Sequence, residues 1–102
     1  DVAVAVEIIE HVANPHAALT NMFAIAKRQV WISTPNGRLT QHEKPPSNPY
    51  HVAEYTPEKM LGLIHGACAG RPVKVWVYAW DDFKTPLTID TDISPLVYRI
   101  DL

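Results

Sequence analysis

The first fifteen residues, DVAVAVEIIEHVANP (Asp1–Pro15), decide the fold that we expect for this chain. Val2 to Val6 form an unbroken apolar run, which is typical of a strand covered on both faces within a parallel sheet. The run ends in a polar cluster of Glu7, Glu10 and His11. Because ligands of open α/β sheets bind at the carboxyl ends of the strands, this cluster is predicted to lie at the edge of a binding site.

The spacing within this polar cluster is that of one helix face. If residues 7 to 11 begin a helical turn, Glu7, Glu10 and His11 stand at i, i+3 and i+4 and point the same way. In one interpretation, Glu7 contacts a cofactor or the backbone, while Glu10 and His11 cap and orient the following helix. This cluster is the sharpest chemical signal in the sequence.

The composition indicates one globular domain. The chain has 102 residues, of which 47% are hydrophobic and 20% are charged, so disorder is not expected. The net charge is −2 and no basic run is present, which argues against a strongly electrostatic nucleic-acid binder.

The cellular context is predicted from the single cysteine and from the absence of a membrane signal. Cys68 cannot form an internal disulfide, which favours a reducing, cytoplasmic location. No apolar run reaches the roughly 18 residues of a membrane span, so no membrane association is predicted. Because Asp1 lies directly before an apparent central strand, we expect the chain to be part of a longer protein.

The next segments predict a βαβ unit. Asn14 and Pro15 are typical of the start of a helix, and Lys27 and Arg28 are predicted to close it. A second strand follows over residues 29–33 and runs into a turn signal at residues 34–37. With connections this short, the two strands are expected to be parallel with a right-handed crossover.

The second half predicts a long loop, a helix and a hairpin. Residues 38–55 have no regular pattern, and loops of this length are usually functional or mobile. Thr56 and Pro57 begin the next helix, and apolar residues then alternate over residues 73–80 and 95–102. These two stretches are predicted to pair as antiparallel strands.

Three segments in this order, VAVEIIEHVANP, WISTPN and NPYHVAEYTPEKM, resemble the C-terminal half of a class I S-adenosylmethionine-dependent methyltransferase. The resemblance covers nearly the whole chain. It implies an α/β fold with a partial Rossmann-like sheet, formed by two parallel strands with a crossover helix, then a helix and a C-terminal antiparallel hairpin. Residues 1–102 would then be a single, truncated methyltransferase-like domain.

The sequence departs from this family at the cofactor site. None of its four glycines stands in a glycine-rich loop after a strand, so no backbone cradle for S-adenosylmethionine is present. The L-x-P-G-G that usually precedes the fifth strand is also replaced. The resemblance therefore implies the substrate-side portion of a methyltransferase, inactive as this isolated chain, whose complete form binds S-adenosylmethionine and methylates a small molecule.

The resemblance also implies roles for individual residues. Glu7 and Ile8 are expected at the cofactor, while Asn36, Tyr50 and Tyr55 are expected to contact the methyl acceptor. His51 is a candidate general base, because a free imidazole titrates near neutral pH. For Asn36, a turn residue is the alternative, and for His51 a loop histidine that bonds the backbone.

A metal site and an RNA substrate form an alternative hypothesis. Small-RNA 2′-O-methyltransferases resemble this chain in having E-x-x-E-H after the fourth strand and a later histidine. The four side chains Glu7, Glu10, His11 and His51 would then bind Mg²⁺, Mn²⁺ or Zn²⁺. Such a metal lowers the pKa of a substrate hydroxyl.

A non-catalytic role is the remaining alternative. In the family, another strand pairs beside the strand formed here by residues 2–6, so this edge is predicted to be bare. A bare hydrophobic edge favours pairing with another chain, and a homodimer through residues 2–6 is therefore expected. The aromatic face of Trp76, Tyr78 and Trp80 is a second candidate surface for association.

Overall fold

The computed structural model describes residues 2–40 and 54–102, which form a mixed α/β fold. In chain order the elements are β1 (Val2–Val6), a 3₁₀ turn (Ile9–His11), α1 (Pro15–Ile25), β2 (Gln29–Thr34), α2 (Gly37–Thr40), α3 (Pro57–Ala67), β3 (Lys74–Ala79) and β4 (Leu96–Asp101). Residues 37–40 are therefore a short helix, not part of an irregular loop. Residues 41–53 of the predicted loop lie outside the described residues.

The described strands form one sheet in the order β1-β2-β4-β3. β1 and β2 are parallel and are joined through α1, which confirms the predicted βαβ unit. β4 is antiparallel to both of its neighbours, so β3 and β4 form the predicted hairpin. The last strand thus enters between β2 and β3, an order that the sequence pattern did not specify.

The helix starts follow from local side-chain chemistry. Asn14 Oδ1 accepts a hydrogen bond of 3.0 Å from the Ala17 amide, and Thr56 Oγ1 accepts one of 3.2 Å from the Lys59 amide. Both caps agree with the sequence prediction. The predicted end of α1 is wrong, because the chain is already extended at Ala26. Lys27 and Arg28 therefore lie beyond the helix.

The core lies on one face of the sheet, which we call the covered face. Its strand side chains alternate with residues that point away, as a half-buried sheet requires. Helices α1 and α3 contribute the opposing layer. The fully buried apolar members are Ile9, Leu19, Val30, Ile32, Met60, Ile64, Leu96, Tyr98 and Ile100. Among the described helices, none is long and apolar enough to cross a membrane.

The opposite face of the sheet, which we call the open face, contradicts one sequence prediction. Val2, Val4 and Val6 are 49%, 61% and 64% exposed, so β1 is not covered on both faces. The reason is that the apolar core, with residues of both α1 and α3, lies on the other side of the sheet. All three tryptophans of the chain lie on the open face or along its margin.

Tyr98 is an anomaly within the core. Its side chain is fully buried, and its hydroxyl has no hydrogen-bond partner among the described residues. Burial, together with the negative charge of Glu58, raises the pKa of the Tyr98 phenol far above its usual value. The hydroxyl therefore costs desolvation energy without recovering a bond.

We expect Tyr98→Phe to raise the free energy of unfolding by about 1 kcal/mol at pH 7, measured by urea denaturation. Because folding raises the pKa of this phenol, its titration leaves the free energy of unfolding unchanged below the pKa of the unfolded chain, about 10, and lowers it as the pH rises above that value. The variant should therefore lose less stability than the parent between pH 9 and 11. A destabilised variant would show that the hydroxyl has a partner that stabilises the fold.

Candidate functional site

The carboxyl ends of β1 and β2 are joined at Glu7. The Glu7 amide donates to the Ser33 carbonyl at 2.9 Å and also lies 3.2 Å from the Ser33 hydroxyl oxygen. Glu7 itself has a φ of +51°, in the left-handed region that non-glycine residues seldom adopt. Strain of this kind is often found at functional sites, and the role of Glu7 at the edge of a site stays a prediction.

Glu10 is the most deeply buried acidic residue of this edge. Its side chain is fully buried, and the Thr34 hydroxyl donates to its Oε2 at 2.8 Å. Its Oε1 has no hydrogen-bond partner among the described residues and lies 3.8 Å from Nε2 of His11. A buried carboxylate that is only partly compensated favours a cation or a proton donor nearby.

The predicted geometry of the polar cluster is wrong in two respects. The helical turn begins at Ile9, so Glu7 precedes it and does not share a helix face with Glu10 and His11. The cap of α1 is Asn14, not Glu10 or His11. A 3₁₀ turn places successive side chains differently from an α-helix, which the i, i+3, i+4 spacing could not reveal.

The metal site remains a prediction. Within residues 2–40 and 54–102, no three histidine, cysteine, aspartate or glutamate side chains come together as a metal site would require. Glu10 and His11 are adjacent, while Glu7 is held separately by β2. The fourth predicted ligand, His51, lies outside the described residues, as does Tyr50.

Asn36 follows β2 and is fully buried. Its amide nitrogen donates to the carbonyl oxygens of Thr91 and Ile93 at 2.9 and 3.0 Å, and its Oδ1 accepts from the Arg38 amide at 3.0 Å. The side chain therefore ties the start of α2 to the segment before β4. Both amide hydrogens are thus used within the fold. Contact of Asn36 with a substrate stays a prediction.

A close backbone contact joins Gly37 to Tyr55. The Gly37 amide donates to the Tyr55 carbonyl at 2.9 Å. A Cβ atom at position 37 would lie 2.6 Å from the Tyr55 carbonyl carbon and 2.7 Å from the Glu54 oxygen, so only glycine fits. Tyr55 is half-buried, and burial raises the pKa of its phenol. The contact brings the segment after β2 against the start of α3.

The open face carries a groove that the sequence did not predict. Its volume is about 580 Å³, and Glu7, Val4, Val6, Trp31 and Phe83 are among its lining residues. The Trp31 and Phe83 rings pack with centroids 5.7 Å apart. The strand at residues 29–33 was predicted from the sequence, but Phe83 lies in a connection whose path only the tertiary structure defines.

Arg99 contacts several side chains on the rest of the open face. Its guanidinium lies over the rings of Trp76 and Tyr78, at 5.4 and 5.8 Å from their centroids, and bonds Asp101 at 3.1 Å. Such cation–π contacts fix the orientation of both rings. The aromatic face predicted from Trp76, Tyr78 and Trp80 thus exists, although Tyr78 is buried within it.

Comparison with known proteins supports the fold. No protein-family model matches the chain, and no curated protein does. A chain from the solved structure of the Pnkp1/Rnl/Hen1 RNA repair complex resembles it with a TM-score of 0.67 at 17% sequence identity. The match covers 99% of this chain and 22% of the other, so this chain spans about a fifth of that chain's length. The likeness is one of fold, and it is consistent with a partial α/β sheet.

Proposed function

We propose that this chain is the acceptor-side portion of an S-adenosylmethionine-dependent methyltransferase that acts on RNA. One observation carries the proposal: the three sequence segments on which the resemblance rests meet at one sheet edge. Glu10 of the first segment bonds Thr34 of the second at 2.8 Å, and Gly37, directly after the second, bonds Tyr55 of the third at 2.9 Å. Segments that meet at the carboxyl ends of parallel strands are placed where α/β sheets bind ligands.

The choice of RNA replaces the small-molecule acceptor expected from the sequence. Nothing in the described residues identifies a small-molecule acceptor, whereas the structural neighbour belongs to an RNA repair complex. With a net charge of −2, the chain offers no broad basic surface. The proposed recognition therefore rests on local contacts to the ribose, where the 2′-hydroxyl distinguishes RNA from DNA.

The cofactor and the metal enter this proposal in different ways. S-adenosylmethionine supplies the methyl group when bound, but these residues contain no glycine-rich cradle for it, so Glu7 and Ile8 would at most border it. For a divalent cation, Glu10 Oε1 and His11 Nε2 are suitable donors, and Glu7 and His51 are the other two predicted ligands. A cation bound there would polarise the acceptor hydroxyl.

The proposal is tested by fluorescence anisotropy with a labelled single-stranded RNA and a DNA of the same sequence. We expect the full chain to bind RNA about fivefold more tightly than DNA in the presence of Mn²⁺. A factor of about five corresponds to the free energy of about one hydrogen bond to the 2′-hydroxyl. His51→Ala should abolish the effect of Mn²⁺. The matched control is His65→Ala, which alters an exposed histidine in the last turn of α3.

The results separate the parts of the proposal. Equal affinity for RNA and DNA would contradict the RNA acceptor, and an unchanged Mn²⁺ affinity of His51→Ala would contradict the metal site. Calorimetry with S-adenosylhomocysteine is expected to show no binding to this chain. Micromolar binding would show instead that these residues hold the cofactor themselves.

A further inference from the structure

A cavity lies between helices α1 and α3, and we call it the interhelix cavity. Its volume is about 350 Å³, and its lining residues are His16, Tyr55, Lys59, Gly62 and Leu63. His16 belongs to the first turn of α1, and the last three residues belong to α3. None of the five lines the groove on the open face, so the two are separate features of the molecule. The two helices pack against each other, so this cavity is shaped by the described part of the chain.

The face of α3 that borders the cavity has few side chains. Lys59, Gly62, Leu63 and Gly66 stand at i, i+3, i+4 and i+7, so they share one face of the helix. Glycine is unfavourable within a helix, and packing requires it at neither position. A Cβ atom would meet nothing within 4 Å at position 62, and only Cδ2 of His16, at 3.9 Å, at position 66. The two glycines therefore leave open a space that alanine would partly fill.

Two aromatic rings border this space. The His16 ring lies beside α3, since its Cδ2 atom is the one that a Cβ atom at position 66 would contact. Tyr55 directly precedes the cap of α3 and is half-buried. Burial raises the pKa of the Tyr55 phenol, so this ring is uncharged at neutral pH. Tyrosine and histidine rings are among the side chains on which proteins stack unpaired RNA bases, so the cavity offers suitable surfaces for a nucleobase.

Lys59 supplies positive charge to the cavity. Among the described residues that line it, Lys59 is the only one with a permanently charged side chain. This side chain is exposed, and the cap of α3 uses the Lys59 backbone amide, which donates to Thr56 Oγ1. The neighbouring Glu58 does not line the cavity, and its charge acts on the buried phenol of Tyr98. The charge of the lining residues therefore complements a phosphate group.

The interhelix cavity adjoins the sheet edge at which the three sequence segments meet. His16 directly follows the first segment, which ends at Pro15. Tyr55 belongs to the third segment, and its carbonyl accepts the hydrogen bond of 2.9 Å from the Gly37 amide, directly after the second segment. An RNA strand that places one ribose at this edge therefore brings a neighbouring nucleotide close to the cavity.

We propose that the interhelix cavity binds the nucleotide of the RNA that neighbours the methylated one. Its base stacks on Tyr55 and His16, and its phosphate is bound by Lys59. Stacking and phosphate contacts tolerate any base, so this site supplies affinity, whereas the contacts to the ribose at the sheet edge distinguish RNA from DNA. This inference rests on the proposed action on RNA.

The first test is an NMR titration of the full chain with adenosine 5′-monophosphate in the absence of Mn²⁺. The amides of Lys59, Gly62 and Leu63 should shift together and reach saturation. Lys59→Ala is expected to weaken binding at least about fivefold, because a charge-assisted contact to the phosphate is lost, whereas Lys59→Arg should bind as the parent does. The matched control is Lys74→Ala, which alters an exposed lysine at the amino end of the sheet, opposite the site.

A second variant fills the cavity without removing a contact. Leucine is favourable in a helix, and a leucine side chain at position 62 would point back over the preceding turn, toward Lys59. Because a Cβ atom at position 62 meets nothing within 4 Å, Gly62→Leu should fold, which thermal unfolding followed by circular dichroism checks. We expect this variant to bind adenosine 5′-monophosphate at least about fivefold more weakly. A folded Gly62→Leu variant that binds as tightly as the parent would overturn the proposal.

Adenosine and inorganic phosphate separate the two halves of the ligand. Each is expected to bind more weakly than adenosine 5′-monophosphate, because each can make only one of the two contacts. Inorganic phosphate that binds as tightly as the nucleotide would overturn the stacking of the base, and adenosine that does so would overturn the role of Lys59. A titration in which the amides of residues 59, 62 and 63 do not shift would overturn the whole site.

Fluorescence anisotropy with the labelled RNA and DNA distinguishes a failure of this site from a failure of the proposed function. Gly62→Leu should weaken the binding of both strands by the same factor, because stacking and phosphate contacts do not involve the 2′-hydroxyl. Equal affinity of the parent for RNA and DNA would contradict the action on RNA, even if the mononucleotide binds. A preference for RNA in a chain that does not bind the mononucleotide would overturn only the interhelix site.

Discussion

Replacing Asn36 by aspartate is expected to lower the free energy of unfolding by about 4 kcal/mol. The substitution keeps the shape of the side chain but removes the two N–H donors that bond the Thr91 and Ile93 carbonyls. It also places a negative charge beside those oxygens in a fully buried position. Each lost hydrogen bond costs about 1 kcal/mol, and a buried negative charge that has lost its donors adds to this cost. Urea denaturation at pH 7 measures the difference.

The control for this substitution is Asn21→Asp. Asn21 lies on an exposed position of α1, so its replacement should change stability by no more than about 0.5 kcal/mol. Asn36→Ala distinguishes the two roles considered for this residue. If Asn36 anchors the fold, the alanine variant loses about 3 kcal/mol. If instead the Asn36→Ala variant loses RNA affinity and keeps its stability, Asn36 is the substrate contact that the sequence predicted.

Gly37→Ala is expected to lower the free energy of unfolding by about 2 kcal/mol. The added methyl group would meet backbone atoms of Glu54 and Tyr55 at 2.6 to 2.8 Å, and the backbone cannot yield as a flexible side chain would. Overpacking of this kind costs about 1–3 kcal/mol. The hydrogen bond from Gly37 to Tyr55 should lengthen or break, and NMR should then show faster exchange of the Gly37 amide.

Gly62→Ala provides a matched glycine control. A Cβ atom at position 62 would meet nothing within 4 Å, and the residue lies within α3. Alanine in a helix interior is favoured over glycine by about 1 kcal/mol, so this variant should be more stable than the parent. If Gly37→Ala proved as stable as Gly62→Ala, the close approach of residues 54–55 to Gly37 would not be a feature of the protein in solution.

Sequence reasoning succeeded where a local pattern decides the structure. Asn14 and Thr56 cap their helices because a side-chain oxygen next to a proline at the first helical position satisfies the free amides. Apolar runs and alternation located the strands because side chains alternate between the faces of a sheet. These interactions span a few residues, so the sequence contains them directly.

Sequence reasoning failed where distant segments decide the structure. An unbroken apolar run predicted that both faces of β1 are covered, yet the side chains of Val2, Val4 and Val6 are exposed because the core lies on the other face. The spacing of Glu7, Glu10 and His11 predicted one helix face, but Glu7 is held by hydrogen bonds to Ser33 of β2. No periodicity within residues 7–11 reports on Ser33.

By itself, the sequence determined the class of the fold, the parallel βαβ unit, the final hairpin and the sheet edge at which the polar residues gather. Only the tertiary structure decided that β4 lies between β2 and β3, that Glu10 is buried against Thr34, and that Gly37 contacts Tyr55. The physical reason is the distance along the chain over which each interaction acts. Caps and alternation depend on neighbours in the chain, whereas the partner of a buried carboxylate or a close-packed glycine lies many residues away and is set by how the layers pack.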